Sequence, residues 1–251
     1  MRPKPSVVSA PGQLPYWNDR ISKREPVLHY LTVATKPHPV LTALQERVDS
    51  IGERLTVLGT EVARPIGWNI SGNFGIKLKT VVEFLKNPSL DPMDVIFFSD
   101  AYDVAYVGSR AAVLAAFATF TKPVVFGAER LCSPDPTLAD RYPPAGGDGE
   151  FRFLNSGGYI GRVWAIRQLM SDYVYVDSIN DQAYWTAKFL GNQDLMELDY
   201  TNKIFLNCVD LDKKEIIWDG SRVYYRYAMP LLIHANGVDK SYIDPILGLD
   251  S

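Results

Sequence analysis

Asp100 and Asp103 stand three positions apart at the end of an apolar run. The residues ahead of them, Val95 to Phe98, read as a strand buried on both faces. Open α/β sheets bind ligands at the carboxyl ends of such strands. Two hard carboxylate donors at this spacing suit Mn2+ or Mg2+ carrying a phosphate. A helix N-cap followed by a turn aspartate would write the same pattern. A metal needs a further ligand, and His234 is the candidate. It follows the apolar run Leu231 to Ile233, and the chain has only 3 histidines. A hydrogen-bonded structural histidine is the alternative there.

Other polar groups occupy positions where ligands bind. Thr35 ends the first strand, at the sheet's ligand edge, or serves only to end it. Lys77 falls in the first turn of a helix behind a glycine-bearing loop, where it could meet a diphosphate or lie solvated. Asp181 opens a helix within Asn180-Asp181-Gln182, either to bind a substrate hydroxyl or to complement the helix dipole. Glu129 directly follows a strand and faces substrate or solvent. Asn155 and Ser156 precede Gly157-Gly158 on a tight turn, where structural and substrate-binding roles weigh equally. The chain has neither a phosphate-binding P-loop motif nor a dinucleotide glycine fingerprint, so nothing supports an ATPase or a dehydrogenase of those kinds.

The elements that would position these groups follow from periodicity. Val27 to Thr35 reads as a strand, Val40 to Ile51 as a helix and Leu55 to Leu58 as a strand. This opening implies a parallel sheet with a right-handed crossover. Ala63 to Phe74 is a polar loop. Helices follow over Gly75 to Lys86 and over Ser109 to Phe120, the latter capped by Ser109. Pro123 to Ala128 is a buried strand, and Glu129 to Glu150 a long loop of the kind that is usually functional or mobile. The glycines of Phe151 to Gly161 imply close backbone approach. Trp164 to Val176 and Asp181 to Leu190 read as helices. Short strands follow over Lys203 to Asn207, Glu215 to Trp218, Arg222 to Tyr227 and Leu231 to Ala235. Gly237 to Ser251 reads as irregular.

The 251 residues are 47% hydrophobic and 22% charged, with net charge −3, a composition typical of a globular protein. Without a basic stripe, no nucleic-acid partner is expected. Without a stretch of about 20 apolar residues, no membrane span is expected. The 2 cysteines, Cys132 and Cys208, suit free thiols in a reducing compartment. Met1 to Asp19 does not read as a signal peptide, so a cytoplasmic location is the default. Residues 1–25 carry Pro3, Pro5, Pro11 and Pro15 and are expected to form a flexible arm, pinned by Tyr16 and Trp17. Residues 26–251 are expected to form a single α/β domain with a mixed sheet.

The order of these blocks resembles the glycosyltransferase domain of the procollagen lysyl hydroxylases, the collagen glucosyl- and galactosyltransferase module. The resemblance rests on Leu31-Thr-Val-Ala-Thr-Lys36, Phe98-Ser-Asp-Ala-Tyr-Asp-Val104 and Val124-Val-Phe-Gly-Ala-Glu129. It continues through Phe153-Leu-Asn-Ser-Gly-Gly-Tyr-Ile-Gly161, Asp181-Gln182 and Ile233-His-Ala-Asn-Gly237. It implies a GT-A type nucleotide-sugar-binding fold, a Rossmann-like mixed sheet flanked by helices. It also implies a Mn2+-bridged uridine diphosphate, with Mg2+ as the alternative ion. By position, Asp100, Asp103 and His234 would be the metal ligands. Val33, Thr35 and Tyr102 would lie on the nucleotide side. Lys77, Asn236 and Gly237 would lie near the diphosphate, and Asn155, Glu129 and Asp181 would line the sugar and acceptor pocket.

The implied reaction is retaining transfer of glucose or galactose from a UDP-sugar to a hydroxyl, such as hydroxylysine of a collagen-like protein. The dioxygenase part of the long family members is not expected here, nor is its Fe2+ site. Two positions depart from the family. Asn180 replaces an acidic residue, and Ser133 stands where a tryptophan is common. Both would lie near sugar and acceptor. They motivate two rival expectations, a UDP-sugar binding protein with weak catalysis and a UDP-sugar hydrolase.

Overall fold

The computed structural model describes residues 25–62, 64, 66, 73–145 and 149–249. The arm expected over 1–25 lies outside these, apart from Glu25. The loop expected over 63–74 is described only at Arg64, Ile66, Asn73 and Phe74.

The first half builds the parallel sheet that its periodicity predicts. Strands β1 (Leu28–Val33), β2 (Leu55–Leu58) and β3 (Val95–Ser99) alternate with helices α1 (Pro39–Ser50) and α2 (Gly75–Leu85). Next come β4 (Val104–Tyr106), α3 (Arg110–Phe117), β5 (Val124–Glu129), β6 (Phe153–Arg162), α4 (Val163–Leu169), α5 (Asp181–Gly191) and β7 (Met196–Asp199). The chain ends with β8 (Phe205–Asn207), β9 (Ile216–Trp218), β10 (Val223–Tyr225), β11 (Leu232–His234) and α6 (Asp244–Leu247).

The main sheet has 6 strands in the order β2-β1-β3-β6-β5-β7. β3 runs parallel to β1 and antiparallel to β6. The result is the mixed sheet flanked by helices that the sequence leads one to expect. All residues of β3 are buried, because both faces are covered. Ile96 and Phe98 pack with Leu78, Val81 and Leu85 of α2 and Trp185 of α5. Val95 and Phe97 pack with Leu44 and Val48 of α1 and Phe117 of α3. No helix of the described residues is long and apolar enough to cross a membrane. Both cysteines are free.

Several elements differ from the periodicity. The stretch Phe153–Arg162 is a buried strand of 10 residues rather than a turn. Its glycines hide the apolar alternation that marks a strand, because they accommodate neighbours instead of contributing side chains. β4 and β7 are too short to show a period. The tail holds one short helix, α6.

The helix expected over Trp164 to Val176 stops at Leu169. The residues beyond it are recruited by α2. The Tyr173 hydroxyl donates to the Gly75 carbonyl, and the Gly75 amide donates to the Asp177 carbonyl. Val174 and Val176 are left exposed, so no apolar face rewards a longer helix.

Gly75 is needed for this docking. A Cβ there would lie 2.0 Å from the Val176 carbonyl oxygen. Gly75→Ala should therefore lower stability by about 1–3 kcal/mol through overpacking, outweighing the better helix propensity of alanine. Urea unfolding measures this, and an unchanged midpoint would refute the close approach.

Candidate functional site

The carboxyl end of β3 opens into a cleft of about 650 Å3, within the range of small-ligand sites. Of the residues singled out from the sequence, Val33, Lys77, Asp100, Tyr102, Asp103, Glu129, Asn155, Asp181, His234, Asn236 and Gly237 line it. Thr35 does not. Its amide donates to the Tyr102 hydroxyl (2.9 Å), which ties the end of β1 to the Asp100–Asp103 turn. Its buried Oγ1 has no hydrogen-bond partner among the described residues.

Short strands bring the distant histidine to the aspartates. β4 begins directly after Asp103 and pairs antiparallel with β11, so that His234 lies opposite Val104. The Ala235 amide then donates to the Asp103 carbonyl (2.8 Å). His234 Nε2 stands 3.4 Å from Asp103 Oδ1 and 3.7 Å from Asp100 Oδ2. One donor atom from each of Asp100, Asp103 and His234 falls within 4.8 Å of the others.

The orientation of the His234 ring is set from behind. Asn207, its neighbour on β8, donates its amide nitrogen to the Ala128 carbonyl (2.8 Å). The Asn207 oxygen therefore faces His234 Nδ1 (2.8 Å) and accepts from it. In the neutral ring this leaves the Nε2 lone pair directed at the carboxylates, the tautomer a metal requires. The donor set therefore fits a hard divalent cation of the Mn2+ or Mg2+ kind.

Gly157 makes room for the ring. A Cβ on Gly157 would lie 2.1 Å from His234 Cε1. The register between β5 and β6 shifts at this point, from Phe126 opposite Tyr159 to Gly127 opposite Asn155. The shift frees Ser156 and Gly157 to line the cleft, as bulges near functional sites commonly do. Asn155 Oδ1 accepts from the Gly157 amide (2.9 Å), which fixes the irregular stretch of β6.

Two lysines balance the carboxylates. Lys77 Nζ donates to Asp100 Oδ1 (2.6 Å) and to Asp181 Oδ2 (2.7 Å). Its position is therefore buried rather than solvated. Burial opposes its charge, yet Asp100 and Asp181 hold its pKa above the ordinary lysine value. Lys240 Nζ donates to Asp103 Oδ2 (2.6 Å) and to the Ala235 carbonyl (2.9 Å). Burial would raise the Asp103 carboxyl, but His234 and Lys240 bring it well below the usual carboxylate range. Burial likewise works against a charged His234, and Asp103 and Asp100 overcome it, raising the imidazole above its ordinary value.

The other wall centres on Glu129. Its Oε1 accepts from Gln182 Nε2 (2.6 Å) and its Oε2 from Asn236 Nδ2 (2.7 Å). Burial pushes its carboxyl up to about 7, against the lowering effect of these bonds. Asn236 Oδ1 accepts from the Val209 amide (2.9 Å), so both ends of that side chain are engaged. Asp181 Oδ2 also accepts from the Ser156 hydroxyl (3.0 Å). Asn180 is the N-cap of α5, its Oδ1 accepting from the Ala183 amide (2.9 Å). Ser133 lines the cleft at the end nearest Gln182.

Sequence reading did not assign roles to Lys240, Asn207 or Gln182. Lys240 shares the loop of Asn236 and Gly237, and its proximity to the candidate histidine was an available signal. Asn207 is a polar residue ending an apolar strand, as His234 is. Gln182 stood inside a quoted motif with no task of its own.

Asn207→Ala should lower affinity for Mn2+, measured by calorimetry with UDP present, by about 10–100-fold, the usual cost of losing a residue that orients a metal ligand. Unchanged Mn2+ affinity would remove Asn207 from that role.

Comparison with known proteins places this geometry in a family. The family model of the PLOD GT domain matches residues 24–247. The human multifunctional procollagen lysine hydroxylase and glycosyltransferase LH3 is 32% identical over 191 residues, covering 72% of this chain and 25% of the relative. The multifunctional procollagen lysine hydroxylase and glycosyltransferase of Caenorhabditis elegans is 32% identical over 241 residues, covering 87% and 32%. Procollagen-lysine,2-oxoglutarate 5-dioxygenase 1 of Gallus gallus is 30% identical over 235 residues, covering 87% and 31%. The chain thus spans about a quarter to a third of the length of these relatives. A crystal structure of a glycosyltransferase involved in glycosylation of the major capsid of PBCV-1 aligns with TM-score 0.48 and 11% identity, over 90% of this chain and 100% of that one. With nearly its whole described length matched by one family model, this chain belongs to the glycosyltransferase family of the PLOD GT domain.

Proposed function

We propose that residues 26–251 act as one GT-A domain that moves glucose or galactose from a UDP-sugar to a hydroxyl acceptor with retention. The observation that carries this reading is the convergence of Asp100, Asp103 and His234 with Lys77 and Lys240 at one end of the cleft. The two aspartates and the histidine would hold a Mn2+ or Mg2+ ion, which when bound would supply Lewis-acid help to a departing diphosphate.

The chain's own groups do the rest. Val33 and Tyr102 shape the nucleotide end, and Thr35 supports it from outside the cleft through its backbone amide, which donates to the Tyr102 hydroxyl. Lys240, half exposed on its loop, can turn to a diphosphate oxygen, as can the backbone of Asn236 and Gly237. Lys77 acts through Asp100 and Asp181, whose positions it sets. Asp181, Glu129 and Asn155 line the cleft and would hold the sugar and orient the acceptor. The names of the relatives point to lysyl residues of procollagen, which makes hydroxylysine of a collagen-like protein the acceptor to try.

A second reading is UDP-sugar hydrolysis or binding with weak catalysis. It is favoured by Ser133, which presents a small side chain to the cleft, and by Asn180, whose amide caps α5.

A panel of UDP-sugars with Mn2+, with and without hydroxylysine-containing collagen peptide, separates the readings. Glycosylated peptide is the expected product. UDP released equally with and without peptide would mean hydrolysis, and tight binding without turnover a binding protein. Changing Asp100→Asn together with Asp103→Asn should weaken Mn2+-dependent UDP binding more than about 100-fold, beyond the cost of losing a supporting residue. Intact binding in a folded double variant would refute the metal assignment.

A further inference from the structure

We propose that Gln182 is a positioning residue for the acceptor side of the cleft, one that sets how the donor sugar divides between a hydroxyl acceptor and water. The inference rests on the transferase reading above.

Gln182 follows Asp181 in the first turn of α5. Its Nε2 donates to Glu129 Oε1 (2.6 Å) and to the Ser133 carbonyl (2.9 Å). Its Oε1 accepts from the Ser156 amide (3.3 Å). These partners fix the orientation of the amide, since flipping it would set oxygen against two acceptors and nitrogen against a donor. One side chain thus joins α5 to the end of β5, to the bulge of β6 and to the loop after β5. Glu129 is gripped at its other oxygen by Asn236, whose own oxygen is held by Val209. Each Glu129 oxygen keeps acceptor capacity for a substrate hydroxyl.

The Ser133 bond has a further effect. Ser133 lies in the wall between the cleft and a second cavity of about 200 Å3, bounded by Pro134, Leu138 and Ala187. The Gln182 amide therefore helps to keep the two spaces apart and the loop registered on the cleft.

Transfer and hydrolysis share the donor end. In both, the bond from the anomeric carbon to the diphosphate oxygen breaks and its electron pair leaves with UDP. In both, an oxygen bonds to the anomeric carbon and its proton passes to bulk water. They differ in the oxygen that arrives. An acceptor hydroxyl on a large molecule must be placed, and misplacement by about an ångström is enough to cost about 100-fold in rate. Water needs no such placement. The groups Gln182 holds, Glu129 and the Ser133 loop, belong to the wall proposed to orient the acceptor.

The test uses the full chain with Gln182→Leu, which keeps bulk and loses the amide. Gln182→Glu is the companion variant, keeping an acceptor for Ser156 while turning an oxygen toward Glu129 and Ser133. Calorimetry with UDP and Mn2+ should give affinities within about twofold of the parent for both variants. UDP release without peptide should persist. The ratio of sugar transferred to hydroxylysine peptide to UDP released should fall about tenfold, the equivalent of one charge-assisted hydrogen bond. Amide hydrogen exchange over residues 129–135 should quicken in both variants, whether or not they turn over. A ratio within about twofold of the parent would overturn the inference. So would lost UDP affinity, which would put Gln182 at the donor end. A parent protein that binds UDP but transfers nothing would instead remove the transferase reading, and the partition with it. Exchange over the loop would then still report whether the latch exists.

Discussion

The cleft depends on one ammonium group. Lys77 reaches from α2 to Asp100 at the end of β3 and to Asp181 at the start of α5. Two helices and the end of a central strand are thereby tied at a single buried charge. An ammonium out of water is tolerated only when paired, and removing one partner from such a pair costs about 3–5 kcal/mol. Asp100 and Asp181 also bring negative charge close together in a poorly solvated place. Lys77 relieves that repulsion and leaves Asp100 Oδ2 facing His234. The same residue so holds apart, and in register, the end proposed for the diphosphate and the end proposed for the sugar.

Around this bridge the side chains are locked by their neighbours. Asn207 sets the His234 tautomer from behind, and the missing side chain of Gly157 gives the ring its place. Asn236 and Gln182 hold Glu129 between them. A site supported this way keeps its geometry before any ligand arrives, which lowers the cost of binding. Beneath it, the rings of Phe98 and Phe126 stack on Tyr159 at 4.7 and 4.8 Å, tying β3, β6 and β5 together under the cleft.

Much of this was legible in the sequence, for physical reasons. β3 announced itself because a strand covered on both faces must be apolar throughout, and its end marks the ligand edge of the sheet. His234 was found by the same logic. What periodicity concealed were elements whose residues answer to neighbours rather than to their own period. β6 is written in glycines because His234 and Phe205 press against it. The helix after α4 fails because α2 claims its backbone. Lys77 could be read as a diphosphate contact or a solvated cation, and its carboxylate partners stayed hidden because they lie far along the chain. Asn180 stood out as a departure near the sugar, and its local task proved to be the cap of α5. Gln182, Asn207 and Lys240 act through contacts that no local pattern carries.

The pairing of β4 with β11 also has a meaning in time. Asp100 and Asp103 are made more than 100 residues before His234. The short sheet that unites them is built from residues distant in sequence, and such contacts form late because loop closure must come first. During synthesis the aspartates are therefore present, and their strand can pair with β1, while the third donor does not yet exist. The candidate metal site is completed only when β11 has followed β4 out of the ribosome, so that a shorter nascent chain carries two of its three donors without the third.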